Sequence, residues 1–235
     1  MTGGIRQEAG PAFVREGLAA AWPICLGYFP IGMALGVLAR QAGLSPLDIG
    51  LMSLLVFAGS AQFIAVAMLA SGASAGAIVA TTFVVNFRHV LMSSALAVHL
   101  HGVSRKFLAL FAYGVTDESF AVNMARFRSG GWDRWRALVV HHAANGVWIG
   151  ATVIGALVGS LIPPGAFGID FALPAMFLAL LVPQFQSRIH VITAVLAAAG
   201  SVICFLTIPG DSNAAIAAVV AASIGYLLQR SRSGA

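Results

Sequence analysis

Charge is what this chain most lacks. Asp, Glu, Lys and Arg together make up 9% of its 235 residues, where a soluble domain carries about a quarter. So few charges cannot coat a water-soluble body of this size, and the mean hydropathy of +0.91 agrees. Cysteine is nearly absent as well. Cys25 and Cys204 both sit inside apolar runs, which argues against a disulfide framework and leaves them as small packing residues. No P-loop, HExxH, CxxC or Ser/His/Asp spacing occurs, so the sequence lends no support to nucleotide-driven, zinc or acyl-transfer chemistry. The glycine-rich "SGASAG" at 71–76 follows no strand and is followed by no P-loop lysine. No cofactor and no metal is expected, and the chain reads as a non-enzyme. An intramembrane hydrolase built on Ser60 and His89 is the one enzymatic alternative, and no spacing singles those two residues out.

What the chain has instead is long apolar runs. Leu18–Ala39, Ile49–Ala70, Ala137–Ile162 and Ile189–Ile208 carry no Asp, Glu, Lys or Arg, and each reaches the 18 or so residues that suggest a bilayer-spanning helix. Ala73–Val98, Phe107–Phe127 and Phe171–Phe185 are apolar with polar residues inside, and a shorter segment covers Ala214–Leu228. The expectation is an all-α, polytopic helical membrane protein of about seven or eight transmembrane segments, several of them broken at the bilayer midplane. Residues 1–235 form a single transmembrane domain with a short polar N-terminus (1–16) and a tail (229–235). The first run follows Arg6 and Arg15 and contains Pro23 and Pro30, so it reads as a retained span and not a cleaved signal peptide. No internal repeat of 20–50 residues is visible.

A pI near 10.0 raises nucleic acid as a partner, but the basic residues are scattered among short loops rather than gathered on one face, so none is expected. They fit the positive-inside rule better. With eight crossings and a cytoplasmic N-terminus, Arg6, Arg15, Arg126, Arg128, Arg134, Arg136, Arg188, Arg230 and Arg232 fall inside, while Arg40, Arg105 and Lys106 fall outside. The Arg105-Lys106 pair is the weak point of that arrangement, and a re-entrant segment among the first four would move it.

Four segments carry an anomaly within two residues of their centres: Pro30 in "GYFPIG", Gly59 in "AGSAQF", Asn86 in "NFRHV" and Asp117 in "TDE". Breaks at that depth persist where they line protein or a wet cavity, and interrupted spans are the best pointer to a transporter's midplane site. An ionised side chain at a helix centre costs about 2.5–3.5 kcal/mol even on the lenient insertion scale. Arg88 is therefore expected to pair with Asp117 or Glu118 inside the bundle. That leaves one uncompensated negative charge, so Asp117, Glu118 or His89 is expected to take up a proton. Thr82, Asn86, His89 and Ser93 make a polar stripe on one helix face, and His141, Asn145 and Thr152 repeat it in the fifth segment. His141 and His142 read as interhelical hydrogen bonders, His89 as functional. Gly32/Gly36, Gly146/Gly150 and Gly155/Gly159 are GxxxG pairs suited to close helix approach or to seating another subunit.

These parts suit a carrier of small zwitterions. A helix restarting at Gly59 and Ser60 aims free N–H groups at a carboxylate, and Arg88 adds anion recognition. Asp117 or Glu118 holds an ammonium, and Phe57, Phe63 and Met92 are expected to wall an apolar side chain. Burying an isobutyl group contributes about 3 kcal/mol at roughly 0.8 per CH₂.

"LGYFPIGMALGVLARQAGLSP", "FAGSAQFIAVAML", "NFRHVLMSSAL", "GVTDESFAV" and "DFALPAMFLALL" occur in this order, and together they resemble the AzlC family, the large subunit of bacterial branched-chain amino-acid exporters. The resemblance implies a multi-pass protein of the bacterial inner membrane exporting Leu, Ile, Val and related amino acids such as Met. It also implies a small hydrophobic AzlD-type partner subunit. Carried over by motif, the site residues are Gly59, Ser60, Gln62, Asn86, Arg88, His89, Thr116, Asp117 and Glu118, with Asp170 and Pro174 also implicated. Proton antiport through Asp117, Glu118 or His89 is the expected coupling. A proton or small-solute channel and a non-transporting membrane scaffold are the alternatives.

Overall fold

The computed structural model describes residues 11–163 and 188–207 continuously, with single positions between 168 and 185 and between 220 and 225. These residues form helices and no strand: α1 Pro11–Gln41, α2 Pro46–Leu55, α3 Gly59–Ala70, α4 Ala75–Ala97, α5 Arg105–Tyr113, α6 Asp117–Ser129, α7 Arg134–Gly159 and α8 Arg188–Thr207. The chain is thus a helical membrane protein. Asp170 lies outside the described residues, as do most of Phe171–Phe185 and Ala214–Leu228.

Helix starts follow the local sequence. Ser45, Ser74, Ser104, Thr116 and Asp133 each accept a backbone N–H from the first turn that follows, satisfying donors that a helix leaves unpaired. The start of α3, by contrast, has Ala58 at its cap and no side-chain acceptor.

The two longest helices, α1 and α7, pack along a glycine seam. A Cβ on Gly36 would lie 2.1 Å from the Thr152 carbonyl oxygen, and one on Gly155 would lie 2.2 Å from that of Met33. Only hydrogen fits there, so the small residues set the interhelical distance. The seam also fixes direction. Gly17 meets Val139, Gly32 meets Ala151 and Gly159 meets Val37, so α1 and α7 run parallel. Pro23 and Pro30 lie within an unbroken α1, and Asn86 lies within an unbroken α4. The breaks are confined to the other two segments.

Both broken segments turn back. In the first, α2 descends beside α7 and stops near Trp148. There Phe57, with φ of 37°, reverses the chain. Ser53 of α2 and Gln62 of α3 then stand side by side, joined by a 3.1 Å hydrogen bond. The far part of α3 (Phe63, Val66, Ala67, Ala70) returns to a groove shared with Leu38, Gln41 and Ala42, where α1 ends. In the second, α5 climbs along α7, with Phe107 on Trp135 and Phe111 on His141. The chain reverses after Gly114, and α6 descends past His141 to bring Phe127 against His99, just before α5 begins.

Ile49–Ala70 and Phe107–Phe127 are therefore re-entrant hairpins and not crossings, which corrects the eight-crossing arrangement. Hydropathy registers how much apolar chain there is, not whether it reverses. Half-helices of 9–13 residues span only about 14–20 Å, enough to reach the midplane and return. Up to residue 159 the crossings are the three long apolar helices α1, α4 and α7. Arg105 and Lys106 now share a face with Arg15, Arg126, Arg128, Arg134 and Arg136, while Arg40 stands alone on the other. The positive-inside rule assigns the first face to the cytoplasm, and the weak point of the sequence-based topology disappears.

The same geometry reveals a repeat that the sequence hides. α1–α2–α3 and α4–α5–α6 are each a long helix followed by a re-entrant hairpin, and the two hairpins enter from opposite faces. This is an inverted-topology repeat, the architecture in which transporter sites lie at midplane between the repeats.

Candidate functional site

The two hairpin tips meet at mid-depth, and each is held by the long helix of the other repeat. From α4, Arg88 Nη2 lies 3.1 Å from Asp117 Oδ2 at the tip of the second hairpin and donates to Ser60 Oγ at the tip of the first. From α1, the Tyr28 hydroxyl lies 2.6 Å from Glu118 Oε2 and 2.8 Å from Thr116 Oγ1. Arg88 thus takes Asp117 as its partner and leaves Glu118 to a neutral phenol. The sequence left open which carboxylate pairs with Arg88, and the geometry gives Asp117.

A cavity lies between the tips, lined by Tyr28 and Ile31 of α1, Arg88 and His89 of α4, Trp148 of α7 and both tips. Of the nine expected site residues, Gly59, Ser60, Arg88, His89, Thr116, Asp117 and Glu118 line it. Two do not. Gln62 is 1% exposed, and its amide is fully engaged, accepting from Trp148 Nε1 at 2.8 Å and donating to Ser53 Oγ. Asn86 stands on the same helix as Arg88, outside the lining, with its buried Oδ1 lacking a hydrogen-bond partner among the described residues. Pro174 is exposed on a separate described stretch.

The apolar wall also differs from expectation. Phe57 lines the cavity, while Phe63 is buried against the α1–α7 core and Met92 packs in a second cluster with Phe111 and Leu96. Phe63, one turn into α3 from Gly59, points back into the core once the chain has reversed. Ile31, Tyr28 and Trp148 supply the wall instead. Tyr28 and Trp148 went unread in the sequence because a buried aromatic in an apolar helix looks like packing. Their polar ends are the signal, because a buried Tyr O–H or Trp N–H needs a partner.

Local backbone supports this placement. Gly59 opens α3 over the Trp148 ring, which a Cβ would approach to 3.0 Å, so a side chain there would push the tip away from α7. Phe57 holds a left-handed φ rare for a bulky residue, a strain that clusters at functional sites. With no cap at Ala58, the first N–H groups of α3 and the guanidinium form a positive pole beside the two carboxylates. The polar stripe on α4 divides: Thr82 bonds its own helix backbone at Ile78, whereas His89 faces the cavity. His141 behaves as read from sequence, its ring nitrogens lying 2.9 Å from Ser119 Oγ and 3.3 Å from Asn123 Nδ2.

Comparison with known proteins places this geometry among membrane proteins. Residues 23–162 match the family model described as AzlC protein. The chain is 31% identical to an Escherichia coli protein named inner membrane protein YgaZ, over 96% of this chain and 94% of that one. It is 36% identical to a membrane protein of Archaeoglobus fulgidus, over 78% of this chain and 81% of that one. It is 28% identical to a Bacillus subtilis protein named branched-chain amino acid transport protein AzlC, over 71% of this chain and 65% of that one. No solved structure matches it.

Proposed function

Because the chain belongs to the AzlC family, a family of membrane transport proteins, we propose that it is the large subunit of a secondary transporter that exports branched-chain amino acids in exchange for protons. One observation carries this reading: a positive pole and an uncompensated carboxylate face one midplane cavity between two re-entrant tips. A zwitterion's carboxylate fits the open α3 N-terminus and Arg88. Its ammonium fits Glu118, and its side chain lies against Ile31, Phe57 and Trp148. Leu, Ile and Val suit that wall, and Met follows by the same chemistry.

The cavity has a volume of about 40 Å³, too little for leucine. Substrate entry therefore requires the tips to separate. Arg88 touches both tips, beside the direct contacts of Tyr113 with Leu54 and Phe57, so a competing substrate carboxylate would remove the charged tie between them. Charge supplies the coupling. Arg88 balances Asp117, and Glu118 accepts either a proton or the ammonium, so the two exchange.

The small AzlD-type subunit belongs to this proposal. Gly146 and Gly150 lie exposed on α7 with open space around them, unlike the other two GxxxG pairs, which meet each other in the α1–α7 seam. That face is where we place the partner. The experiment is counterflow of labelled leucine in proteoliposomes, with and without the co-purified small subunit. Accumulation only with both subunits supports the reading. Passive leucine or ion conductance without counterflow would instead support a channel, and no flux of any kind a scaffold.

A further inference from the structure

Behind Glu118 a continuous line of polar atoms runs toward the cytoplasmic face, and the proposed substrate chemistry does not use it. It passes from Glu118 Oε2 to the Tyr28 hydroxyl (2.6 Å), Thr116 Oγ1 (2.8 Å), Ser119 Oγ (3.2 Å) and His141 Nδ1 (2.9 Å). From His141 Nε2 it continues to Asn123 Nδ2 (3.3 Å), and Asn123 Oδ1 receives the Trp132 indole N–H (2.9 Å) at the α6–α7 turn. Thr116, Ser119, Asn123 and His141 are all buried.

The bond directions at the far end of the line follow from Trp132. An indole nitrogen only donates, so the Asn123 oxygen faces Trp132 and the amide nitrogen faces His141. His141 Nε2 is then the acceptor and Nδ1 carries the proton, donating to Ser119 Oγ. At the other end the Tyr28 hydroxyl donates toward Glu118 Oε2 and Thr116 Oγ1, and Thr116 Oγ1 donates to Ser119 Oγ.

We propose that Tyr28, Thr116, Ser119 and His141 are a proton relay that releases the Glu118 proton to the cytoplasm, with Asn123 and Trp132 as its plug. This rests on the proton-exchange reading above. In the releasing step the Glu118 proton passes to the Tyr28 oxygen while the Tyr28, Thr116 and Ser119 protons each move one place on. The last forms an N–H bond at His141 Nδ1 as the proton on Nε2 leaves to water, admitted when the Asn123 amide swings aside. One proton leaves Glu118, one enters water, and His141 stays neutral throughout. The His141 end of the line is in the state that step leaves: Nδ1 protonated, Nε2 bare and sealed by Asn123. Asn123 and Trp132 cannot take over the relay, because neither an amide nor an indole readily accepts and passes on a proton. The charged and titratable groups around the line are His142 on α7, Asp117 on α6, and Arg88 and His89 on α4.

The test uses the two-subunit protein in proteoliposomes with a trapped pH indicator and reads two quantities: protons moved per leucine exported, and leucine–leucine counterflow, which needs no net proton transfer. His141→Gln keeps hydrogen-bonding capacity but cannot relay. We expect it to retain counterflow within about twofold and to lose at least tenfold in proton-driven leucine export. Ser119→Ala should behave alike, and Ser119→Thr, which restores the hydroxyl, should recover coupling. Proton-driven export at the unaltered rate in folded His141→Gln would overturn the relay and leave proton exchange standing, as would parallel loss of both quantities in every variant. Absence of proton movement with leucine in the unaltered protein would overturn both.

Discussion

Removing Arg88 is the most informative single perturbation, because that one side chain ties both hairpin tips. Its guanidinium lies 3.1 Å from Asp117, and the two side chains are 32% and 33% exposed. At that distance the gross attraction is about 5 kcal/mol with an effective dielectric constant of 20. Partial exposure to the cavity screens it, and holding both side chains costs entropy, leaving a net coupling of about 1–3 kcal/mol. That is below the 3–5 kcal/mol or so expected on breaking a fully buried pair, because water in the cavity relieves the orphaned carboxylate. A double-mutant cycle of Arg88→Ala, Asp117→Ala and the combined variant, read by unfolding in detergent, should therefore return about 1–3 kcal/mol of coupling. Arg88→Ala with Glu118→Gln should give less, since Tyr28 and not Arg88 holds Glu118. All three variants of the first cycle should lose leucine export even where stability recovers. Additivity within about 0.5 kcal/mol, or normal export by Arg88→Ala, would refute the pairing and the site with it.

Four further outcomes follow from the fold. Gly36→Ala and Gly155→Ala place a Cβ about 2 Å from a backbone oxygen across the α1–α7 seam, so each should destabilise by about 1–3 kcal/mol or more. Gly150→Leu, in open space, should leave the chain folded and weaken co-purification of the small subunit; unchanged co-purification would move the partner to another face. For topology, single cysteines at Ser71 and His101, in a background lacking Cys25 and Cys204, should react with impermeant reagent from the periplasm and the cytoplasm respectively. The opposite pattern would restore the crossing arrangement. Finally, Gln62→Leu strands the Trp148 indole while Ser53 keeps its bond to Thr152, so it should lower stability by about 1–3 kcal/mol while the Michaelis constant for leucine stays near its original value; a selective rise in that constant would return Gln62 to the binding site.

The sequence disclosed the depth of the site better than its connections. Arg88 and Asp117 each stood out as a charge that lipid does not tolerate at the middle of an apolar run, Gly59 stood out as a break in one, and all three line one cavity. Tyr28 and Trp148 did not stand out, because their rings satisfy the apolar pattern and only their partners reveal a role. Gln62 misled for the opposite reason: a polar residue one turn from the tip is as useful for tying α2 to α3 as for touching a substrate. The hairpins lay beyond hydropathy altogether, since a segment that returns is as apolar as one that crosses. Only Arg105 and Lys106 hinted at reversal, by standing on the wrong side of an otherwise consistent charge count. The inverted repeat was hidden for a related reason: it relates helix directions and tip positions, and these survive when residue identity does not.

The central claim is that leucine and protons compete for one carboxylate in the midplane cavity. It is tested most directly by labelled leucine flux in proteoliposomes holding both subunits, across an imposed pH step. The account predicts that protons flowing into the compartment from which leucine leaves will drive its export against a concentration gradient. Glu118→Gln should make leucine movement insensitive to the step, and Asp117→Asn should chiefly lose substrate. Leucine flux that ignores the pH step in the unaltered two-subunit protein would contradict the claim.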